Sequence, residues 1–202
     1  MTAAPRPDVK HVARLRIEID EVTPAVVRRL EVPLDIRLDD LHFVLQIAIG
    51  WQNGHPFEFR VEGANADKRW GLVDHSDPDP PLPAESATLA DLLTDGAGLL
   101  HYDYVFGEDW AHSIEVETVA DADPKAHYPR LLSAEGRCPP SDIGGTMGYE
   151  TYLRAIADPL HASHEAMREW EPDFDPHVVN EAAIRANLAN LGKYLGRRKT
   201  QR

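Results

Sequence analysis

The sequence predicts an α+β fold: a single domain with a mixed or antiparallel sheet of about six strands and helices packed mainly on one face. Three observations lead there. Segments in which apolar and polar residues alternate recur along the chain, an amphipathic stretch at 38–49 reads as a helix, and hairpin-like strand pairs flank that helix, against a regular βαβ repeat. A chain of 202 residues, 43% hydrophobic, is long enough for one sizeable core, and the domain is expected over 12–191.

Ala13, Leu15, Ile17 and Ile19 alternate with Arg14, Arg16, Glu18 and Asp20, which marks a half-buried strand over 12–20. After Thr23-Pro24, VVRRLEVP at 26–33 reads as its hairpin partner, closed by Pro33. In LDDLHFVLQIAIGW, Leu38, Leu41, Leu45, Ala48 and Ile49 recur at helical spacing, with Asp39 or Asp40 near the start and Gly50 past the end. A capped amphipathic helix is expected. Phe57, Phe59 and Val61 alternate with Glu58, Arg60 and Glu62 as a third strand, and RWGLVD at 69–74 is a weaker fourth. DHSDPDPPLPAES, 74–86, is too rich in proline and acid to pack and reads as an exposed loop within the domain. Thr88 to Asp91 has the form of a capping box opening a short helix that ends near Gly96.

The stretch HYDYVFGEDWAHSIEVE, 101–117, holds the remaining predicted strands. Leu100, Tyr102, Tyr104 and Phe106 share one face, Trp110, His112, Ile114 and Val116 share the next, and Gly107-Glu108 is the turn. His112 therefore lies in line with apolar residues, where each ring nitrogen needs a partner, either neighbouring side chains or a metal. RCPPSDIGGTMGYETYLRAIADP, 137–159, runs from a stiff Cys-Pro-Pro turn through Asp142 and a glycine-rich loop into a helix. Its apolar stripe is Tyr149, Tyr152, Leu153 and Ile156. Gly144, Gly145 and Gly148 could leave backbone N–H groups free for an anion, although the spacing is neither that of a P-loop nor of a dinucleotide fingerprint. Segments 161–170 and 176–191 read as packing helices, with His161 and His164 lacking a third ligand nearby.

Charge and composition exclude several functions. A formal net charge of −13 opposes close approach to nucleic-acid phosphate. The exception is a basic tail at 192–202, carrying Lys193, Arg197, Arg198, Lys199 and Arg202, expected to be disordered and the one place for direct nucleic-acid contact. No stretch approaches the ~20 apolar residues of a membrane span, and MTAAPRPDVKH has no signal-like apolar core, so a cytoplasmic protein is expected. A single cysteine, Cys138, leaves no internal disulfide and no multi-cysteine zinc site.

VVRRLEVP, DLHFVLQIAIGW followed by HPFEF, YDYVFGEDWAH, CPPSDIGGTMGYETYL and DFDPHVVN, in that order, resemble the plasmid pRiA4b ORF-3-like family over residues 12 to 188. That family includes insertion-element passengers labelled TnpR-like, so the resemblance implies an accessory protein of plasmids or transposons. In the family pattern an Asp precedes the Phe-Gly pair, where this chain has Val105, and a second Asp follows the glycine, where it has Glu108; Trp110 and His112 match. A resolvase needs a nucleophilic serine in an arginine-rich setting and a surface that holds DNA. Ser113, Ser133 and Ser141 lack that setting, and recombinase activity is not expected.

Two functions of different classes remain. The first is a non-enzymatic binding module, requiring no cofactor, with an aromatic groove around Trp51, Tyr104 and Trp110 that takes a protein, peptide or small-molecule partner. Its candidate contacts are Trp51, His55, Tyr104, Asp109 and Trp110, extended by His112, Asp142, Gly144, Gly145 and Tyr149. The second is a divalent-metal hydrolase in which His42, His55 and His112 converge with Asp103, Asp109 or Asp142. No HExxH or comparable local motif is present, so that site would depend wholly on tertiary convergence.

Overall fold

The computed structural model describes residues 9–62, 66–74, 76–94, 98–104 and 107–200. β1 (His11–Ile19) and β2 (Val27–Pro33) form the expected hairpin, which sets Leu15 opposite Leu30 and Ala13 opposite Val32. α1 (Leu38–Ile49), β3 (Phe57–Val61), β4 (Arg69–Gly71) and the short β5 (Leu82–Pro83) follow. α2 (Leu89–Leu93), β6 (Leu99–Tyr104), β7 (Trp110–Asp121) and β8 (Arg130–Glu135) lead to α3 (Gly145–Ala157), α4 (His164–Trp170) and α5 (Glu181–Thr200).

The strands of the described residues join one mixed sheet in the order β5-β4-β3-β6-β7-β1-β2-β8, in which, among those residues, only β4 and β5 run parallel. The domain is α+β as expected, but its sheet has eight strands rather than about six. The two that alternation does not reveal lie at the edges. β5 is two residues inside the proline-rich loop, and β8, RLLSAE, has neither β-branched residues nor clean alternation. Leu15, Leu30, Phe59, Leu100 and Ile114 are completely buried on the face that carries the helices. The opposite face is laced by ion pairs, among them Arg14 and Arg130 with Glu31, Arg29 with Glu117, and Arg60 with Asp103.

α1 begins and ends where its periodicity predicts. No side chain caps its start; the Leu38 N–H donates to the Ala87 carbonyl at 3.0 Å, and Asp39 and Asp40 sit in the first turn paired with Arg37. At the other end Gly50 takes φ 117°, a conformation that favours glycine, and a Cβ there would stand 3.1 Å from the Cβ of Cys138, a tight fit. α2 opens on the expected capping box, with Thr88 and Asp91 exchanging bonds at 2.8 and 3.3 Å; Gly96 lies outside the described residues.

The C-terminal tail departs from expectation. Residues 192–200 are not a disordered extension but continue α5, because that helix has a surface to lie on. Arg185 donates to the carbonyls of Leu131 and Leu132 on β8, Gly192 approaches the Tyr128 carbonyl so closely that a Cβ would stand 2.6 Å from it, and Arg198 pairs with Asp40 at 2.8 Å. α5 thereby lies against β8, the last strand of the sheet. No described helix is long and apolar enough to cross a membrane.

Candidate functional site

The residues singled out around Tyr102 and His112 do meet, and they close on one another. In the sheet Tyr102 stands opposite both Phe59 and His112, and α1 brings His42 and Gln46 to its hydroxyl. Asn53 Oδ1 lies 2.6 Å from His42 Nε2, so that nitrogen carries the proton and Nδ1 accepts from the Tyr102 hydroxyl at 2.8 Å. Gln46 donates to the same hydroxyl at 2.9 Å and accepts the Asn53 N–H at 2.8 Å. In His112 the tautomer is reversed: Trp51 Nε1–H donates to Nε2 at 3.2 Å, and Nδ1–H donates to the Tyr102 carbonyl at 3.0 Å. Every ring nitrogen of the two histidines is occupied. Burial pushes both down to about 4, so they are neutral at physiological pH.

This closure corrects the expected aromatic groove. Trp110 is 0%, Tyr104 2% and Trp51 8% exposed, because rings in phase with Leu100 and Ile114 are drawn into the core. The expected convergence of metal ligands is not formed either. His42 and His112 have no free lone pair, Asp103 pairs with Arg60 on the opposite sheet face, and His55 is exposed with its ring edge-on to Tyr104 at 5.8 Å. Asp109 and Asp142 are exposed in turns, at φ 53° and 59°. Among the described residues no three His, Cys, Asp or Glu side chains gather to hold a metal ion.

The glycine-rich loop is closed from within. Gly144 N–H donates to Glu108 Oε1 at 2.8 Å and Trp110 Nε1–H donates to Glu108 Oε2 at 2.9 Å. One carboxylate from the β6–β7 turn thus occupies the start of α3, where an external anion was expected. The other glycines allow close packing: a Cβ on Gly145 would stand 2.5 Å from the Glu108 carbonyl oxygen, and one on Gly148 1.8 Å from that of Ile143. Gly148→Ala, a change that ordinarily favours a helix, is expected to lower stability by about 2 kcal/mol in denaturant titration. Tyr149 is 1% exposed and meets Phe174 edge-on at 6.2 Å; its hydroxyl is buried without a hydrogen-bond partner among the described residues, so packing is its part here.

The open space lies elsewhere. A cleft of about 640 Å³ forms where the end of α1, the 137–141 loop, the 170–174 segment and the first turns of α5 come together. Arg28 lines it while being only 1% exposed. Its Nε and Nη2 donate to the Ala48 and Ile49 carbonyls at 2.6 and 3.1 Å, tying down the last turn of α1, and Nη1 donates to the Val27 and Glu135 carbonyls at 2.9 and 2.6 Å. Burial lowers the Arg28 pKa, with Glu181 acting the other way, and the guanidinium stays charged. Arg137 stacks over Phe174 at 4.6 Å and donates to Glu171 at 3.0 Å. Burial pushes the Cys138 thiol far up, which disfavours its thiolate form, and the residue is partly exposed. One signal pointed to Arg28 beforehand: it falls in phase with Leu30 and Val32 on the inward face of β2. The cleft's remaining walls carry no local pattern.

A family model described as plasmid pRiA4b ORF-3-like protein matches residues 11–183. The chain belongs to this family. Among its relatives in sequence is the uncharacterized protein y4hQ of Sinorhizobium fredii (strain NBRC 101917 / NGR234), 40% identical over 186 residues that cover 91% of this chain and 93% of that one. The fold is similar to the crystal structure of the protein of unknown function MM3350 from Methanosarcina mazei Go1, with a TM-score of 0.78 and 27% identity over 86% of this chain and 97% of that one. Three blocks of pRiA4b ORF-3-like resemblance meet at the cleft: VVRRLEVP supplies Arg28, CPPSD one wall, and DFDPHVVN another. Glu108, expected from the resemblance to stand in place of an Asp, makes the bridge between the β6–β7 turn and α3; Val105 lies outside the described residues.

Proposed function

We propose that the protein is a non-enzymatic binding module whose receiving surface is the cleft at the end of α1, and that its ligand is a small organic molecule. The construction of the cleft carries this reading. Its volume, about 640 Å³, lies in the range of small-molecule sites, and it sets apolar Ile49, Phe174 and Val179 beside polar Gln52, Asn180 and Asn187. That mixture suits a ligand with an apolar body and a few polar groups. The aromatic and histidine network is the rigid frame behind the cleft, since Trp51 follows directly on the Gly50 cap of α1. An accessory role beside a plasmid or insertion element fits a protein that binds and does not cut.

Ala183 is exposed on α5 and lines the cleft, so Ala183→Trp fills the space without touching the core. A thermal-shift panel of small organic molecules, neutral and charged, is expected to give ligands that raise the melting temperature of the native chain and lose that effect in Ala183→Trp. A panel without such ligands, or with the same ligands in both proteins, would overturn the reading.

A further inference from the structure

Arg28 has a charge that its structural bonds do not neutralise. A guanidinium has five N–H donors. Four of them go to the neutral carbonyls of Ala48, Val27, Glu135 and Ile49, which leaves one Nη2–H without a partner among the described residues. The neighbouring arginines differ: Arg29 pairs with Glu117, and Arg14 and Arg130 share Glu31. Those pairs lie on the solvated face of the sheet, where a lone cation would be tolerable. Arg28 is the one of the four that is 1% exposed, and a buried cation is the case in which an anionic partner matters most. The α1 carbonyls it meets carry only the partial negative charge of a helix end.

Resting on the reading of the cleft as the receiving surface, we propose that its ligand is a small organic carboxylate, whose anionic head pairs with Arg28 and whose apolar body lies against Ile49, Phe174 and Val179. Inorganic phosphate would supply the charge but leave the apolar walls bare, and a neutral apolar molecule would leave the guanidinium with only the charge of Glu181, which makes its ion pair with Arg185. Charge-assisted bonds between arginine and a carboxylate are about twice as strong as neutral ones, so the head group should dominate selectivity.

The test uses the full chain and pairs of acids with their primary amides: phenylacetate and phenylacetamide, indole-3-acetate and indole-3-acetamide, octanoate and octanamide. Calorimetric titration is expected to show at least one acid binding on the order of tenfold tighter than its amide. That preference should survive Arg137→Gln at the rim and vanish, with binding itself, in Ala183→Trp. Because the acid–amide comparison is made on the native chain, it does not depend on an Arg28 variant that folds. An acid and its amide bound equally well, both lost in Ala183→Trp, overturns the carboxylate inference and leaves the cleft as the binding site. Acid binding unchanged in Ala183→Trp overturns the cleft itself, and a preference abolished by Arg137→Gln moves the anion away from Arg28. No binding by any acid of the panel also overturns the inference.

Discussion

As the pH falls from 6.5 to 4, the protein is expected to lose roughly 5 kcal/mol of stability, about half through His42 and half through His112. Each histidine has an ordinary value of 6.5 and is pushed down to about 4 in the folded chain, chiefly by burial. Between those values the unfolded chain takes up a proton that the folded one refuses. The stability is therefore complete above pH 6.5 and is lost progressively as the pH approaches 4. Other groups adjust the profile at its acid end. Glu58 and Asp40 are raised by burial, so their protonation favours the folded state, whereas Asp91 is lowered by its bonds to Thr88 and adds to the loss. Denaturant titrations at pH 7.5, 6, 5 and 4 check this directly. An unfolding midpoint unchanged between pH 7.5 and 5 would falsify the assignment of both rings as buried and neutral.

His112→Ala is expected to destabilise the protein by about 4 kcal/mol, to the same extent with and without added divalent metal. The ring is 0% exposed, so its removal leaves a cavity beside Tyr102 and Trp51. It also leaves the Trp51 Nε1–H and the Tyr102 carbonyl without their partner. Large-to-small replacement and orphaned polar groups each contribute a few kcal/mol, and some collapse of the site offsets part of the sum. His55→Ala, at an exposed position, provides the contrast and should change stability by no more than about 0.5 kcal/mol. A loss in His112→Ala that appeared only in the presence of metal would return that histidine to the role of ligand.

What could be read beforehand follows from how local each signal is. The bounds of α1 were legible because helical spacing, acids in the first turn and Gly50 all agree within one stretch. β1, β2, β3 and the β6–β7 pair were legible because alternation survives wherever one sheet face is buried and the other is charged. β5 escaped because it is only two residues long, and β8 because RLLSAE has neither β-branched residues nor clean alternation. The site was harder. Trp51, Tyr104 and Trp110 were correctly placed together but misread as open, since sequence shows that rings are neighbours without showing what covers them. The glycine loop was misread because its anion is the side chain of Glu108, thirty-six residues away in sequence. The cleft requires α1, the 137–141 loop and α5 to converge, and no local pattern encodes that meeting.

The position of α5 over β8 also bears on how the chain comes off the ribosome. β8 is synthesised well before the helix that covers it, with α3 and α4 in between. Until α5 emerges, one side of β8 presents unpaired backbone N–H and C=O groups, which is the template on which strands of different molecules add to one another. The Arg185 bonds to the Leu131 and Leu132 carbonyls occupy part of that template in the finished fold. The last helix thus occupies backbone groups of an edge strand as well as forming a wall of the cleft.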